Sequence, residues 1–315
     1  MRHTKVIIVG GGPAGTACAW KLQQHNVDFL LLDKAVFPRV KPCAGWITPE
    51  VLRTLDLNPK TYPGGLTHFD HFQIAVKDFH FRMKTDQYAI CRVELDNWLL
   101  KRVESQYINH TVRNIVHEDN RYVVDDEYSA EYLVGAGGTH CPVAKAFFAD
   151  EHSAGKNALI VAMEEEFPYD YSDPTCRLWF LKNGLPGYAW YVPKSNGFVN
   201  VGVGGIEAKL KEGKDTLMRH WTLLVDKLER MGLVVGHDYK PLGHSYFLRG
   251  KDPEPCRGNA FLVGDAAGLA TVDMGEGIGP AITSGMRAAE SIINDGEYSL
   301  RSIPRYSFPS LLGIR

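Results

Sequence analysis

Residues Val6-Ile7-Ile8-Val9-Gly10-Gly11-Gly12-Pro13-Ala14-Gly15 decide the fold of this 315-residue chain. A short apolar run rich in β-branched residues leads straight into a G-x-G-x-x-G spacing on Gly10, Gly12 and Gly15. Each glycine has a task in a dinucleotide cradle. Gly10 permits the tight turn, Gly12 lets the backbone approach a pyrophosphate, and Gly15 lets the next helix pack closely on its strand. Pro13 suits a first helical turn, where its missing N–H has no bond to lose. The helix Ala14 to Gln24 aims its unpaired N–H groups and positive dipole end at phosphate. Phe29-Leu30-Leu31-Leu32 reads as a second strand; Asp33 at its end is placed to bind a ribose hydroxyl, with Lys34 beside it. Strand, helix, strand and acid together point to dinucleotide binding, and the spacing does not separate FAD from NAD.

The length allows a large core and two domains. With 35 basic and 37 acidic residues the charge is near balance, which excludes a general nucleic-acid binder. The apolar strand after Met1-Arg2-His3-Thr4-Lys5 is too short for a signal-peptide core, and no apolar run spans a membrane. The expected setting is cytosolic, with contact at a membrane surface allowed. The six cysteines, at positions 18, 43, 91, 141, 176 and 256, include no C-x-x-C pair, so reduced thiols are expected. His68, His71 and His80 have no cysteine or carboxylate cluster at ligand spacing and read as sheet-surface histidines, with no metal site. Glu164-Glu165-Glu166 reads as a solvated turn or strand end.

Phe37-Pro38-Arg39-Val40-Lys41-Pro42-Cys43-Ala44-Gly45-Trp46 carries two prolines and a glycine and is a shaped loop. It is either a surface loop with a buried Cys43 or a pocket wall. Cys91 opens a helix running to about Gln106, with Arg92 at its entrance, placed either to reach a cofactor phosphate or to solvate the helix start. Between Cys176 and Gly205 the pattern is an antiparallel meander with turns at Lys182-Asn183-Gly184 and Ser195-Asn196-Gly197. Its middle strand puts Tyr188, Trp190 and Val192 on one face and Ala189 and Tyr191 on the other. Taken alone, the Trp190 face favours packed core over pocket wall. Thr216 to Arg230 is a regular helix with Leu217, Trp221, Leu224 and Leu228 on one stripe. Ala260-Phe261-Leu262-Val263 is an apolar strand ending in Gly264-Asp265, a carboxylate placed to bind a polyol chain. A loop with Gly275, Gly277 and Ile278 precedes a helix from Pro280 to Asn294, whose free N–H groups suit negative charge on a ring carbonyl.

These stretches resemble the geranylgeranyl reductase family of FAD-dependent oxidoreductases, which share the p-hydroxybenzoate hydroxylase fold. The family pattern Pro-x-x-Lys-x-Cys-Gly-Gly appears as Pro38 to Gly45, and Tyr-x-Trp-x-Phe-Pro as Tyr188 to Pro193. Gly-Asp-Ala-Ala-Gly and Gly-Glu-Gly-Ile match at 264–268 and 275–278. The resemblance implies an α/β fold: an FAD-binding Rossmann-like domain of the glutathione reductase type, residues 1–66, 89–152 and 250–315. An antiparallel-sheet substrate domain, residues 67–88 and 153–249, is inserted in it. It further implies hydride transfer from reduced FAD to a prenyl alkene or other apolar substrate. Gly10, Gly12, Pro13, Ala14, Gly15, Asp33, Lys34, Lys41, Ala44, Gly45, Arg92, Gly264, Asp265, Gly275, Gly277 and Ile278 are expected to hold FAD. Tyr188, Trp190 and Cys43 are expected on the substrate side. With one cradle, the reductant is expected to bind transiently, as NAD(P)H or a reduced carrier protein.

Three departures bear on these expectations. Ala44 replaces a family glycine, Val192 replaces an aromatic residue, and Gly137 stands where the fold usually has an aspartate. The chain also stops soon after the Pro280 helix, where relatives continue over the substrate cavity, which leaves substrate size open. Rival expectations are a flavin monooxygenase or halogenase on the same fold, and a flavoprotein without catalytic turnover.

Overall fold

The computed structural model describes residues 1–149, 159–250 and 254–311. The chain divides into two compact units, one of Met1–Arg39, Leu95–Gly155 and Tyr246–Ser307, the other of Val40–Glu94, Lys156–Ser245 and Phe308–Arg315. Residues 40–66 and 89–94, expected with the nucleotide-binding part, thus group with the second unit. The reason is local pairing: Trp46-Ile47 forms a ladder with Tyr88-Ala89, and Ile90 N donates to Gly45 O at 3.0 Å.

In chain order the strands begin with β1 (Arg2–Val9), β2 (Phe29–Asp33), β3 (Trp46–Ile47), β4 (Leu66–Val76) and β5 (Phe79–Ile90). Next come β6 (Tyr107–Asn109), β7 (Ile115–Glu118), β8 (Arg121–Val124), β9 (Tyr128–Gly135), β10 (Leu159–Pro168) and β11 (Arg177–Phe180). The last are β12 (Gly187–Lys194), β13 (Phe198–Ile206), β14 (Leu242–Phe247), β15 (Cys256–Arg257) and β16 (Ala260–Leu262). Three helices position the functional residues: α1 (Pro13–Gln24), α2 (Leu217–Arg230) and α3 (Ile278–Asn294).

In the first unit the sheet runs β15-β16-β9-β1-β2-β6, with the β7-β8 hairpin joined through β8 to β9. Strand β1 lies parallel to both β2 and β9, so Val6, Ile7 and Ile8 are fully buried from both faces. That double burial explains a continuous apolar run where a half-buried strand would alternate. Helix α1 is small-residue-rich because α3 packs directly on it: a Cβ on Gly285 would collide with the Ala14 carbonyl.

The second unit's sheet runs β14-β10-β13-β12-β11-β4-β5-β3. Val199, Val201 and Val203 of β13 and Tyr191 of β12 form a core with Trp221, Leu224 and Leu228 of α2. Burying those three α2 side chains stabilises the unit by about 2 kcal/mol each. Thr216 caps α2, its Oγ1 accepting from Arg219 N at 3.3 Å. Side chains alternate along a strand, so the opposite face carries the residues between. In register these are Glu164 and Glu166 of β10, Gly202 and Asn200 of β13, and Trp190 and Val192 of β12. The glutamate triplet, expected as a solvated turn or strand end, therefore lies mid-strand in β10, paired with Gly202, Val201 and Asn200.

Candidate flavin and substrate sites

The cradle of the first unit is built as its glycines require. Gly10 has φ +118° and donates its N–H to Leu32 O at 2.8 Å, and a Cβ there would strike the backbone of Ala136 and Gly137. A Cβ on Gly15 would strike Gly10 O, so strand and helix meet there. Gly12 differs: a Cβ would find only Arg39 Nη2, at 3.5 Å, so the turn is open on that side. Gly12 caps α1 in extended conformation with no side-chain hydrogen bond, Pro13 follows, and Ala14 is buried. An uncapped N-terminus behind an open glycine is what a pyrophosphate needs, and this chain's residues fit one.

Asp33 serves the turn itself: Oδ2 accepts from Gly11 N at 2.6 Å and Oδ1 from Ala35 N at 2.7 Å, while Lys34 is exposed. Arg39 was not singled out in the sequence as a cofactor residue, yet its guanidinium stands over the cradle, held at 3.1 Å by the fully buried Asp96. Gly264 and Asp265 approach the same corner. A Cβ on Gly264 would lie 3.1 Å from Ala14 and 3.2 Å from Ala281, and Gly264 N donates to Ser284 Oγ at 2.9 Å. A Cβ on Gly277 would sit 3.3 Å from Asp265 Oδ1, and Gly275, at φ +63°, packs against Tyr246. Helix α3 starts at Ile278, two residues before Pro280, and its first turn is not wholly free: Gly279 N donates to Glu276 Oε1 at 2.6 Å. Burial pushes Glu276 up to about 7, with Asp273 and Asp265 acting in the same direction.

In the second unit the loop of Lys41, Cys43, Ala44 and Gly45 meets the Trp190 face of the sheet. Lys194, the residue after the Tyr188–Pro193 stretch, is fully buried; its Nζ donates to Ile90 O at 3.1 Å, Cys43 O at 3.3 Å and Glu166 Oε2. Asn200 Nδ2 donates to the same Cys43 carbonyl at 3.3 Å, and Asn200 Oδ1 accepts from Trp190 Nε1 at 2.7 Å. Gly202 leaves room for the indole, since a Cβ there would overlap the Trp190 ring. Tyr188 stacks on Trp46 at 6.2 Å and lies 5.5 Å from the Trp190 ring. The Trp190 face is thus distinct from the α2-packed core. It is an aromatic row edged by a buried polar cluster, and the packed core built with α2 lies on the Tyr191 face.

Glu164 is 1% exposed, and burial pushes it up to about 7; Lys194 and Asn200 pull the other way. Burial also raises the Cys43 thiol, against the pull of Arg92 and Lys194. Arg92 is buried, so it does not solvate its helix start; its charge bears on Cys43 and His244. The surface histidines are paired with acids: His68 with Asp86 at 2.8 Å and His71 with Asp70. No helix among the described residues is long and apolar enough to cross a membrane.

Comparison with known proteins adds findings of three kinds. Residues 8–40 match the model of an NAD(P)-binding Rossmann-like domain. An uncharacterized protein of Methanosarcina barkeri is 30% identical over 97% of this chain and 79% of its own length. The geranylgeranyl diphosphate reductase of Synechocystis is 28% identical over 93% and 77%. Among solved structures, a geranylgeranyl bacteriochlorophyll reductase-like protein from Thermoplasma acidophilum superposes at TM-score 0.79, with 19% identity over 93% of this chain and 79% of that one. A flavin-dependent brominase shares the fold at TM-score 0.72, with 16% identity over 98% and 83%.

Proposed function

We propose, since this chain belongs to the geranylgeranyl reductase family of FAD-dependent oxidoreductases, that it saturates carbon–carbon double bonds of a prenyl or other apolar substrate. The observation that carries this reading is the aromatic row of Trp46, Tyr188 and Trp190 beside the anchored Cys43 loop. An isolated alkene offers no charge to grip, so it must be held by shape and by apolar surface. FAD, when bound and reduced, supplies the hydride; the protein supplies binding, orientation and exclusion of water.

On this reading Gly10, Gly12, Gly15 and the α1 terminus hold the pyrophosphate, and Asp33 the ribose side. Gly264-Asp265 and the Gly275–Ile278 turn hold the remainder, with Lys41, Ala44, Gly45 and Arg92 behind the substrate side. Tyr188, Trp190 and Cys43 line that side. The reductant, NAD(P)H or a reduced carrier protein, binds transiently, and an apolar lipid substrate brings the protein to a membrane surface. The test is to load the protein with FAD, reduce it without oxygen, add a geranylgeranyl lipid and analyse the lipid by mass spectrometry. The reading expects two added hydrogens per reduced double bond. Unchanged lipid, with oxygen-dependent hydroxylation or halogenation of an aromatic compound instead, would move the assignment to the fold's other chemistry.

A further inference from the structure

The Trp190 face of the second unit's sheet does not end at its buried aromatics. Directly paired strand residues share a sheet face, so the register carries that face outward from β12 through β11 and β4 to β5. Trp190 pairs with Leu178, Leu178 with Ile74 and Ile74 with Phe81. One row nearer the β4–β5 turn, Tyr188 pairs with Phe180, Phe180 with Val76 and Val76 with Phe79. The residues between, among them Ala75, Trp179 and Tyr191, belong to the α2 side. Along both rows burial gives way to water: Trp190 and Ile74 are 6% and 3% exposed, Phe81 and Val76 36% and 37%, and Phe79 69%. Leu181, also exposed, stands on the adjoining turn. The turn is held in place, because Lys77 N donates to Phe180 O at 3.0 Å and Lys182 Nζ to Asp78 Oδ1 at 2.5 Å. Its surroundings are cationic. Asp78 lies between Lys77 and Lys182, while Lys227 and Arg230 of α2 stand close enough to Lys182 for the three like charges to repel.

We propose that this tip, Val76 to Phe81 with Leu181, is where the protein meets an anionic lipid bilayer. Phe79 and Phe81 enter the acyl boundary, and Lys77 and Lys182 stay with the lipid phosphates. Exposed aromatic rings ringed by an excess of cations complement such a surface in both respects, apolar depth and charge. Four apolar side chains expose far less than the roughly 800 Å² per partner that a stable dimer buries, which argues against a second copy. The choice of a lipid surface as partner rests on the reductase reading, since an apolar prenyl substrate resides in a bilayer. What the structure adds to that reading is the place of contact: the outer edge of the same sheet face that carries Tyr188 and Trp190.

The test mixes the FAD-loaded protein with vesicles of phosphatidylcholine and phosphatidylserine and measures the bound fraction by sedimentation. Wild type is compared with Phe79→Ser, Lys77→Gln and Met218→Ser, the last an exposed apolar residue of α2, which packs on the other sheet face. Wild type and M218S should bind alike. F79S should bind at least about tenfold more weakly, for the loss of one buried aromatic ring. K77Q should bind about fivefold more weakly, and added salt should weaken wild type. In Phe79→Trp, brominated phosphatidylcholine should quench emission beyond the wild-type level, as it does a ring at acyl depth. No vesicle binding by wild type, or full binding by F79S, overturns the proposal. Should F79S fail to fold, full binding by K77Q or no added quenching in F79W does so. Ultracentrifugation that finds wild type dimeric and F79S monomeric would assign the edge to a second copy and overturn it too. A geranylgeranyl lipid dispersed in detergent separates the two readings, because F79S should reduce it at the wild-type rate. If wild type binds vesicles through Phe79 yet reduces no such lipid, the reductase reading falls and the contact surface stands.

Discussion

Replacing Lys194 with Met tests whether one buried ammonium holds the Cys43 loop against the sheet. Lys194 is fully buried and donates to Ile90 O, Cys43 O and Glu166. Methionine fills nearly the same volume but donates nothing. Breaking a buried pair by removing one partner costs about 3–5 kcal/mol. Glu166 keeps 23% of its side-chain surface and can rehydrate, and Cys43 O retains its bond from Asn200. The expected loss therefore lies near the low end, about 3 kcal/mol. Urea unfolding followed by tryptophan fluorescence measures it, because Trp46, Trp179, Trp190 and Trp221 all belong to the second unit. The double variant K194M/E166Q removes the stranded charge and should recover at least about 1 kcal/mol of that loss. Cys43 should also react faster with a thiol reagent in K194M. A loss below about 1 kcal/mol, or no recovery in the double variant, would show that this ammonium is not the anchor.

Gly12→Val should cost the protein at least about tenfold in flavin affinity with little change in melting temperature, because its Cβ would make only an ordinary contact, 3.5 Å from Arg39 Nη2; equal flavin retention would remove Gly12 from the cradle. Gly15→Ala should instead destabilise the first unit, since its Cβ meets the Gly10 carbonyl, and thermal unfolding checks it. Gly202→Val should cost about 2–3 kcal/mol and shift tryptophan emission by displacing the Trp190 ring. For pH, Glu164 binds more protons folded than unfolded between 4.5 and about 7, so its stabilisation is whole below that window and lost as pH rises through 7. His244, lowered to about 4, has the opposite slope up to 6.5. Below pH 6.5 His244 offsets only one of the two raised carboxyls, Glu164 and Glu276, so stability already falls there; from pH 6.5 to 8.5, where His244 contributes little, the fall is about 1 kcal/mol from Glu164 and a similar amount from Glu276. E164Q should remove about half of that fall, and an unchanged pH profile would contradict the buried-acid assignment.

The cradle was legible because everything that shapes it is local. Turn, helix start and acid lie within Val6 to Asp33, and the glycines declare backbone approaches that no other residue permits. The meander from Cys176 to Gly205 was legible for the same reason, through alternation and turn residues. The Trp190 face was legible only in part. Alternation grouped Tyr188 with Trp190, but which face met α2 depended on β13, whose valines lie on the Tyr191 side. Lys194 and Glu164 were missed because their partners lie far along the chain: Lys194 reaches back to Cys43 and Ile90, and Glu164 forward to His244. A signal was present in each case. Lys194 directly follows Pro193 in a buried strand, and Glu164 lies opposite Gly202, which makes room for a large neighbour. The grouping of residues 40–66 with the second unit was hidden in a two-residue ladder, Trp46-Ile47, too short to carry a sequence pattern.

The proposed alkene reduction is tested most directly by mixing the anaerobically reduced holoprotein with a geranylgeranyl lipid and recording flavin absorbance and lipid mass together. Reoxidation is expected at the rate the lipid gains hydrogen, with one double bond saturated per flavin oxidised. A flavin that stays reduced in the presence of lipid, and reoxidises only when oxygen is admitted, through a hydroperoxide absorbance, would contradict it.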